Sequence, residues 1–205
     1  MKTITLQVGP IMTNCYILCD DETKTCAVVD PGADAERVSQ AVAETDCAPV
    51  GILLTHGHYD HTGAVEALLK RFPGIPVYLN HRDVYDESDC RMRQLFPPLP
   101  ATVDYEDGDT VRVGGLTVSV LSTPGHSAGS VTLLCGDVMF AGDTLFAGSC
   151  GRTDLASGSV DDMLASLARL GRLEGEYSVL PGHMGASILS REREYNPFML
   201  QALRG

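Results

Sequence analysis

Apolar residues along this 205-residue chain come in short runs, at positions 4–8, 16–18, 27–29, 52–54, 77–79, 118–121, 131–134, 138–141 and 179–180. Gly, Pro, Asp and Asn flank these runs, so each reads as a strand closed by a turn. A different period fills the intervals. Val65, Leu68, Leu69 and Phe72, and again Val160, Met163, Leu164 and Leu167, recur at i, i+3, i+4 and i+7, which predicts two helices with one apolar stripe each. Ser159 followed by Asp162 resembles a capping box for the second. A third helix is expected over residues 35–44, with Val38, Ala41 and Val42 facing inward. Strands and helices interspersed over the whole length predict an α/β or mixed α/β class in which helices cover sheets. Residues 88–104 break the pattern, because Pro97, Pro98 and Pro100 fit neither a helix interior nor a central strand. They read as a connector between two halves. Arg91, Arg93, Leu95 and Phe96 are expected to border a substrate cleft, the plainer reading being a passive crossover.

Composition narrows the picture. With 44% of residues in the AVILMFWYC set and 20% charged, the chain falls among ordinary globular proteins, and its length suits one domain spanning 1–205. Fifteen basic against 27 acidic residues give a formal charge of −12, which repels nucleic acid and acidic lipid surfaces and leaves a small molecule as the expected partner. Oligomeric state stays open. No apolar run nears the roughly 20 residues of a membrane span. Residues 1–9 alternate like a strand rather than forming a signal-peptide core, so a cytoplasmic protein is expected. The seven cysteines are odd in number and lack Cys-X-X-Cys pairs, so they read as free thiols. Cys15 and Cys19 would lie about 13 Å apart along one strand, too far to bridge.

One string carries more chemistry than the rest. His56-Gly57-His58-Tyr59-Asp60-His61 follows an apolar strand and precedes a helix, so four potential ligands share a loop that can aim them at one point. Imidazole and carboxylate suit zinc, and also iron or manganese. The same setting, a ligand type in a Gly-containing turn after an apolar run, recurs in Pro124-Gly125-His126-Ser127, Ala141-Gly142-Asp143-Thr144 and Pro181-Gly182-His183-Met184. His56, His58, Asp60, His61, His126, Asp143 and His183 make seven donors, the number that a two-metal site with one shared carboxylate requires. His81 lacks this setting and reads as a surface or helix-capping residue.

HxHxDH, a downstream PGHS, a GD and a late PGH, in that order, resemble the metallo-β-lactamase-fold superfamily over nearly the entire chain. Residues 148–154 (GSCGRTD) and 191–198 (REREYNPF) resemble its glyoxalase II-like branch. The resemblance implies a four-layer αβ/βα sandwich of two mixed sheets flanked by helices, with a dinuclear site at its open edge. His56, His58 and His126 would then hold one divalent ion and Asp60, His61 and His183 the other. Asp143 would bridge them, and zinc is the first choice of metal, iron or manganese the alternatives. Such a site activates a bridging water, and the implied reaction is hydrolysis of a thioester, S-lactoylglutathione or a related acyl thiol. Asp60 would orient that water or accept its proton, although as a ligand its basicity is reduced.

Two departures limit this transfer. The last motif is PGHM where the family usually has PGHG, which sets Met184 near the cleft. Two-domain glyoxalase II enzymes use a C-terminal helical domain to help bind glutathione, whereas this sequence ends at Gly205, so glutathione is not carried over. Alternatives on the same scaffold are a persulfide dioxygenase with a single iron, and a lactone or phosphodiester hydrolase. Acidic charge argues against tRNA processing, and the missing export signal against β-lactamase activity. Among the neighbours, Asp30 is expected to accept a hydrogen bond from the His-rich loop, or else only to form a turn. Arg152 would grip a substrate carboxylate or pair with Asp154. Tyr59 would face the cleft or pack outward. Cys150 is set aside as a nucleophile, since activated water makes one redundant.

Overall fold

In the computed structural model, which describes residues 1–85, 89 and 92–205, alternation along single strands decides the layering. The first sheet has the order β1 (Lys2–Val8), β2 (Thr13–Asp20), β3 (Thr25–Val29), β4 (Ala48–Leu53) and β5 (Val77–Tyr78). Its first three strands are antiparallel neighbours, and β3, β4 and β5 run parallel. Along β2, Cys15, Ile17 and Cys19 enter one apolar cluster while Tyr16 and Leu18 enter another. A strand buried on both faces must be covered on both sides. The outer cover is α1 (Ala35–Ala43) and, beyond the single turn α2 (Tyr59–Thr62), α3 (Val65–Arg71), whose Val38, Val42, Val65 and Leu68 complete the first cluster.

The inner cover is a second, six-stranded sheet. It contains β6 (Thr110–Val113), β7 (Leu116–Ser122), β8 (Val131–Cys135) and β9 (Val138–Gly142), followed beyond the small hairpin of β10 (Leu145–Phe146) and β11 (Ser149–Cys150) by β12 (Ser178–Pro181) and β13 (Ser187–Ile188). Its order is β13-β12-β9-β8-β7-β6, with β9 and β12 parallel and every other neighbour antiparallel. On β9, Phe140 points between the sheets while Met139 and Ala141 point outward, against α5 (Val160–Gly171), α6 (Leu189–Tyr195) and α7 (Pro197–Arg204). A single turn, α4 (Met92–Leu95), lies in the connector between the sheets. The arrangement is therefore the expected helix-sheet-sheet-helix sandwich with two mixed sheets.

Details depart from the sequence pattern for local reasons. β6 reads Thr-Val-Arg-Val, half exposed, and offers no apolar run. α7 is set by Asn196, whose side chain accepts from the backbone N–H of Phe198 and Met199 ahead of Pro197 at the first turn. Only half of the expected capping box forms at α5. Ser159 Oγ accepts from the Asp162 N–H at 3.2 Å, but the Ser159 N–H donates to the Gly125 carbonyl rather than to Asp162. The part of residues 88–104 that lies within the described residues falls between the two sheets in the chain, and it holds α4 and a parallel bridge between Val103 and Tyr78. Among the described residues no helix is long and apolar enough to cross a membrane, and Cys15, Cys19, Cys26, Cys47, Cys135 and Cys150 are free.

The two sheets are tied together at one end by hydrogen bonds. Tyr16 Oη donates to the Pro181 carbonyl at 2.6 Å, the Asn14 N–H to Gly182 at 2.7 Å, and the Val131 N–H to Thr55 at 2.8 Å. Asn14 Nδ2 adds bonds to the carbonyls of Pro181 and Met184, each at 2.9 Å.

Candidate metal centre

At that end the chain leaves β4 into the His-rich loop, and leaves β9 and β12, which run parallel, into the turns bearing Asp143 and His183. The β7–β8 loop adds His126. Seven donors from four separate stretches thus converge. His56, His58 and His126 each offer an atom within 4.8 Å of the others, and so do Asp60, His61 and His183. His58 Nδ1 and His126 Nε2 are 2.9 Å apart. Asp143 lies between the trios: Oδ1 is 3.4 Å from His61 Nε2, and Oδ2 is 3.4 Å from His126 Nε2 and 3.5 Å from His183 Nε2.

The donor set fits divalent cations on independent grounds. His56 Nε2, His58 Nε2, His61 Nε2 and Asp143 Oδ1 are buried with no hydrogen-bond partner, and orphaned buried polar atoms cost about 1–3 kcal/mol each unless something satisfies them. Among the described residues, the ion pairs of Asp30, Asp60 and Asp143 are made only with histidines. Among the described residues no Lys or Arg forms an ion pair with these carboxylates.

For His56, His61 and His126 the nitrogen away from the centre is held by the protein, as metal-binding imidazoles require. Asp30 Oδ2 lies 3.0 Å from His61 Nδ1 and also accepts from Thr55 Oγ1, while Oδ1 accepts from the Thr55 N–H. Asp30 therefore fastens the His-rich loop, as the sequence suggested, from a left-handed conformation at φ 50° that few non-glycine residues adopt. Thr55 Oγ1 lies 3.2 Å from His56 Nδ1, and His126 Nδ1 donates to the Arg152 carbonyl at 2.8 Å. The Nε2 atoms of His61 and His126 are thereby left for an ion.

Burial, reinforced by neighbouring histidines, holds His56 well below the ordinary histidine pKa, and burial brings His58 down to about 3. At His61 burial acts in the same direction but Asp143 and Asp30 outweigh it, so its pKa rises well above the usual value. His183 also rises, because its bond to Asp60 at 3.1 Å outweighs burial. Burial would raise Asp60 and Asp143, yet His183 and His61 respectively hold both carboxyls below the usual range. Both carboxylates are ionised at neutral pH.

Around the seven donors, Tyr59 is 50% exposed and lines a pocket of about 100 Å³ with Asp60, Thr13, Ile11 and Pro10. The guanidinium of Arg152 is exposed and paired bidentately with Asp154 at 2.7 and 2.8 Å, the second of the two roles weighed for it. It borders a larger pocket of about 470 Å³ whose walls include half-buried Cys150, Met163, Leu164 and Phe198. Met184 is exposed at φ 70°. His81 is on the surface, bonded to Asp104, and Asn80 rather than His81 caps the turn His81–Asp83. Of the cleft residues expected in the connector, Phe96 is buried with its ring 4.5 Å from that of His58, Arg93 is exposed, Leu95 is half-buried, and Arg91 lies outside the described residues. The sequence reading missed Thr13, which donates to Asp60 Oδ2 at 3.1 Å, and the buried Asp83. Asp83 ends the turn His81–Asp83, five residues beyond β5, and a carboxylate in the string Asn-His-Arg-Asp shortly after a strand was the available signal.

Comparison with known proteins agrees with this geometry. Residues 8–183 match the model of the metallo-beta-lactamase superfamily. The chain is 32% identical to hydroxyacylglutathione hydrolase GloC of Haemophilus influenzae, over 95% of this chain and 96% of that protein. Among solved structures it is similar to BLEG-1, a B3 metallo-beta-lactamase, with TM-score 0.85 and 36% identity over 97% of this chain and 99% of that one. ETHE1 from Myxococcus xanthus follows at 0.82 and 33%, over 96% and 84%. TTHA1623 in a di-iron-bound form gives 0.80 and 36%, over 95% and 99%. Sandwich, donor order and whole-length similarity agree, and the chain belongs to the metallo-beta-lactamase superfamily.

Proposed function

We propose that this metallo-hydrolase cleaves a thioester, with S-lactoylglutathione or a related acyl thiol as the first candidate, at a dinuclear centre made of the two trios and Asp143. The observation that carries the dinuclear reading is the position of Asp143, whose carboxylate lies within 3.5 Å of His126 of the first trio and of both His61 and His183 of the second. The similarity to GloC supports the thioester. When bound, two divalent ions lower the pKa of a water and polarise a carbonyl. The chain itself fixes the donors and keeps Asp60 and Asp143 ionised, and among the described residues it pairs neither with a Lys or Arg. Asp60 Oδ2 is already engaged by His183, His61 and Thr13, so its role is to hold and orient rather than to carry a proton away. A departing thiolate needs little acid catalysis. Tyr59 and Arg152, exposed on either side of the donors, are the substrate-contacting candidates, with Arg152→Ala expected to raise KM more than it lowers kcat.

The test follows free-thiol release from S-lactoylglutathione under anaerobic conditions, with zinc-, iron- and manganese-loaded protein and an Asp143→Ala control. Release that survives without oxygen and falls at least 100-fold in the control supports the reading. Turnover only with oxygen and a persulfide, or only of a β-lactam or a lactone, overturns it.

A further inference from the structure

Asp83 is 2% exposed and has no Lys or Arg partner among the described residues, yet its carboxylate accepts three hydrogen bonds. Oδ2 takes the Gly57 N–H at 2.9 Å and Ser127 Oγ at 2.6 Å, and Oδ1 takes the Gly129 N–H at 2.7 Å. Gly57 separates His56 from His58, and Ser127 follows His126. One side chain therefore joins the two loops that supply the first trio. The fit is close: a Cβ on Gly57 would come 2.9 Å from the Asp83 carbonyl oxygen, and one on Gly129 2.7 Å from its Cγ. Phe96 closes the same corner from the connector, against His58. Asp30 does the corresponding work elsewhere, on His61 and, through Thr55, on the start of the loop.

We infer that Asp83 is a positioning residue for the first trio alone, setting the spacing of His56, His58 and His126 for one divalent ion without acting on the site of Asp60, His61 and His183. The inference rests on the metal-centre reading above. Its physical basis is that ligand-orienting partners typically contribute about 10–100-fold to metal affinity, and that the bonds of Asp83 end on Gly57, between His56 and His58, and on Ser127 and Gly129, beside His126, while none of them ends on Asp60, His61 or His183. An uncompensated buried carboxylate also favours a cation nearby.

Zinc affinity of the purified full chain, measured by chelator competition, separates the sites. His183→Ala leaves only the first trio intact, and on that background Asp83→Asn is expected to weaken zinc about 10–100-fold. His126→Ala leaves only the second, and there Asp83→Asn is expected to change affinity less than twofold. Ser127→Ala, which removes one of the three bonds and keeps the charge, is expected to give a smaller loss in the first background only, so the inference stays testable if Asp83→Asn folds poorly. Equal losses in both backgrounds, or none in either, overturn the assignment. Wild-type protein that binds no zinc would instead overturn the metal-centre reading itself.

Discussion

At the scale of single residues, the histidines of the cluster are not equivalent. His56 and His58 are held neutral by burial, while His61 and His183 keep their protons above the ordinary histidine range as long as carboxylates are their only partners. An ion requires neutral imidazole, so loading displaces those protons. The sign follows: as pH falls through the raised values of His61 and His183, protons compete better and affinity drops. Calorimetric titration of metal-free protein with zinc, in two buffers of different ionisation enthalpy, should show net proton release, largest below those raised values and shrinking above them. Phe96→Ala removes the ring packed on His58 and is expected to lower turnover severalfold, checked by steady-state kinetics beside a thermal melt. The convergence of these seven side chains was legible because they sit in four short strings, four of them in one and the others in one each. Asp83 and Asn14 were not, because what they do depends on partners far along the chain, 44 residues to Ser127 and 170 to Met184.

At the scale of elements, α5 offers a clean comparison. Its N-terminus is capped by Ser159 Oγ alone, since the returning bond from Asp162 is absent. Ser159→Ala should cost about 1 kcal/mol in urea unfolding, and Asp162→Ala distinctly less. The helical period located α1 and α3 within a residue or so of both ends and the start of α5, which runs four residues past Leu167 to Gly171, because each has one face against a sheet and one in water. Short elements escaped that reading for the opposite reason. β10, β11 and β13 have two residues each, too few to display a period, and they exist because a neighbouring strand is already in place.

For the whole molecule, stability rests on the layer between the sheets. Phe140 is buried there with its ring 5.4 Å from that of Tyr16, so Phe140→Ala should cost about 3–5 kcal/mol by chemical denaturation. Tyr16→Phe keeps the ring and loses only the hydroxyl bond to Pro181, a carbonyl that Asn14 also serves, so about 0.5–1.5 kcal/mol is expected. The sandwich was legible as layers from the strand alternation and from the resemblance, but the ties that close its open end were not. Each is a backbone or side-chain contact between segments whose order in the chain says nothing about their approach.

Each trio draws donors from both sides of the connector: His58 meets His126 across 68 residues of chain, and Asp60 meets His183 across 123. An ion held at either place would act as a removable cross-link over a long loop, with an entropic effect on the unfolded chain of the kind a disulfide has, about 3–5 kcal/mol for loops of this length. The six described cysteines form no such link. A chelator would then do to this protein what a reductant does to a secreted one, so its melting temperature should follow free zinc concentration and be indifferent to dithiols that do not bind zinc.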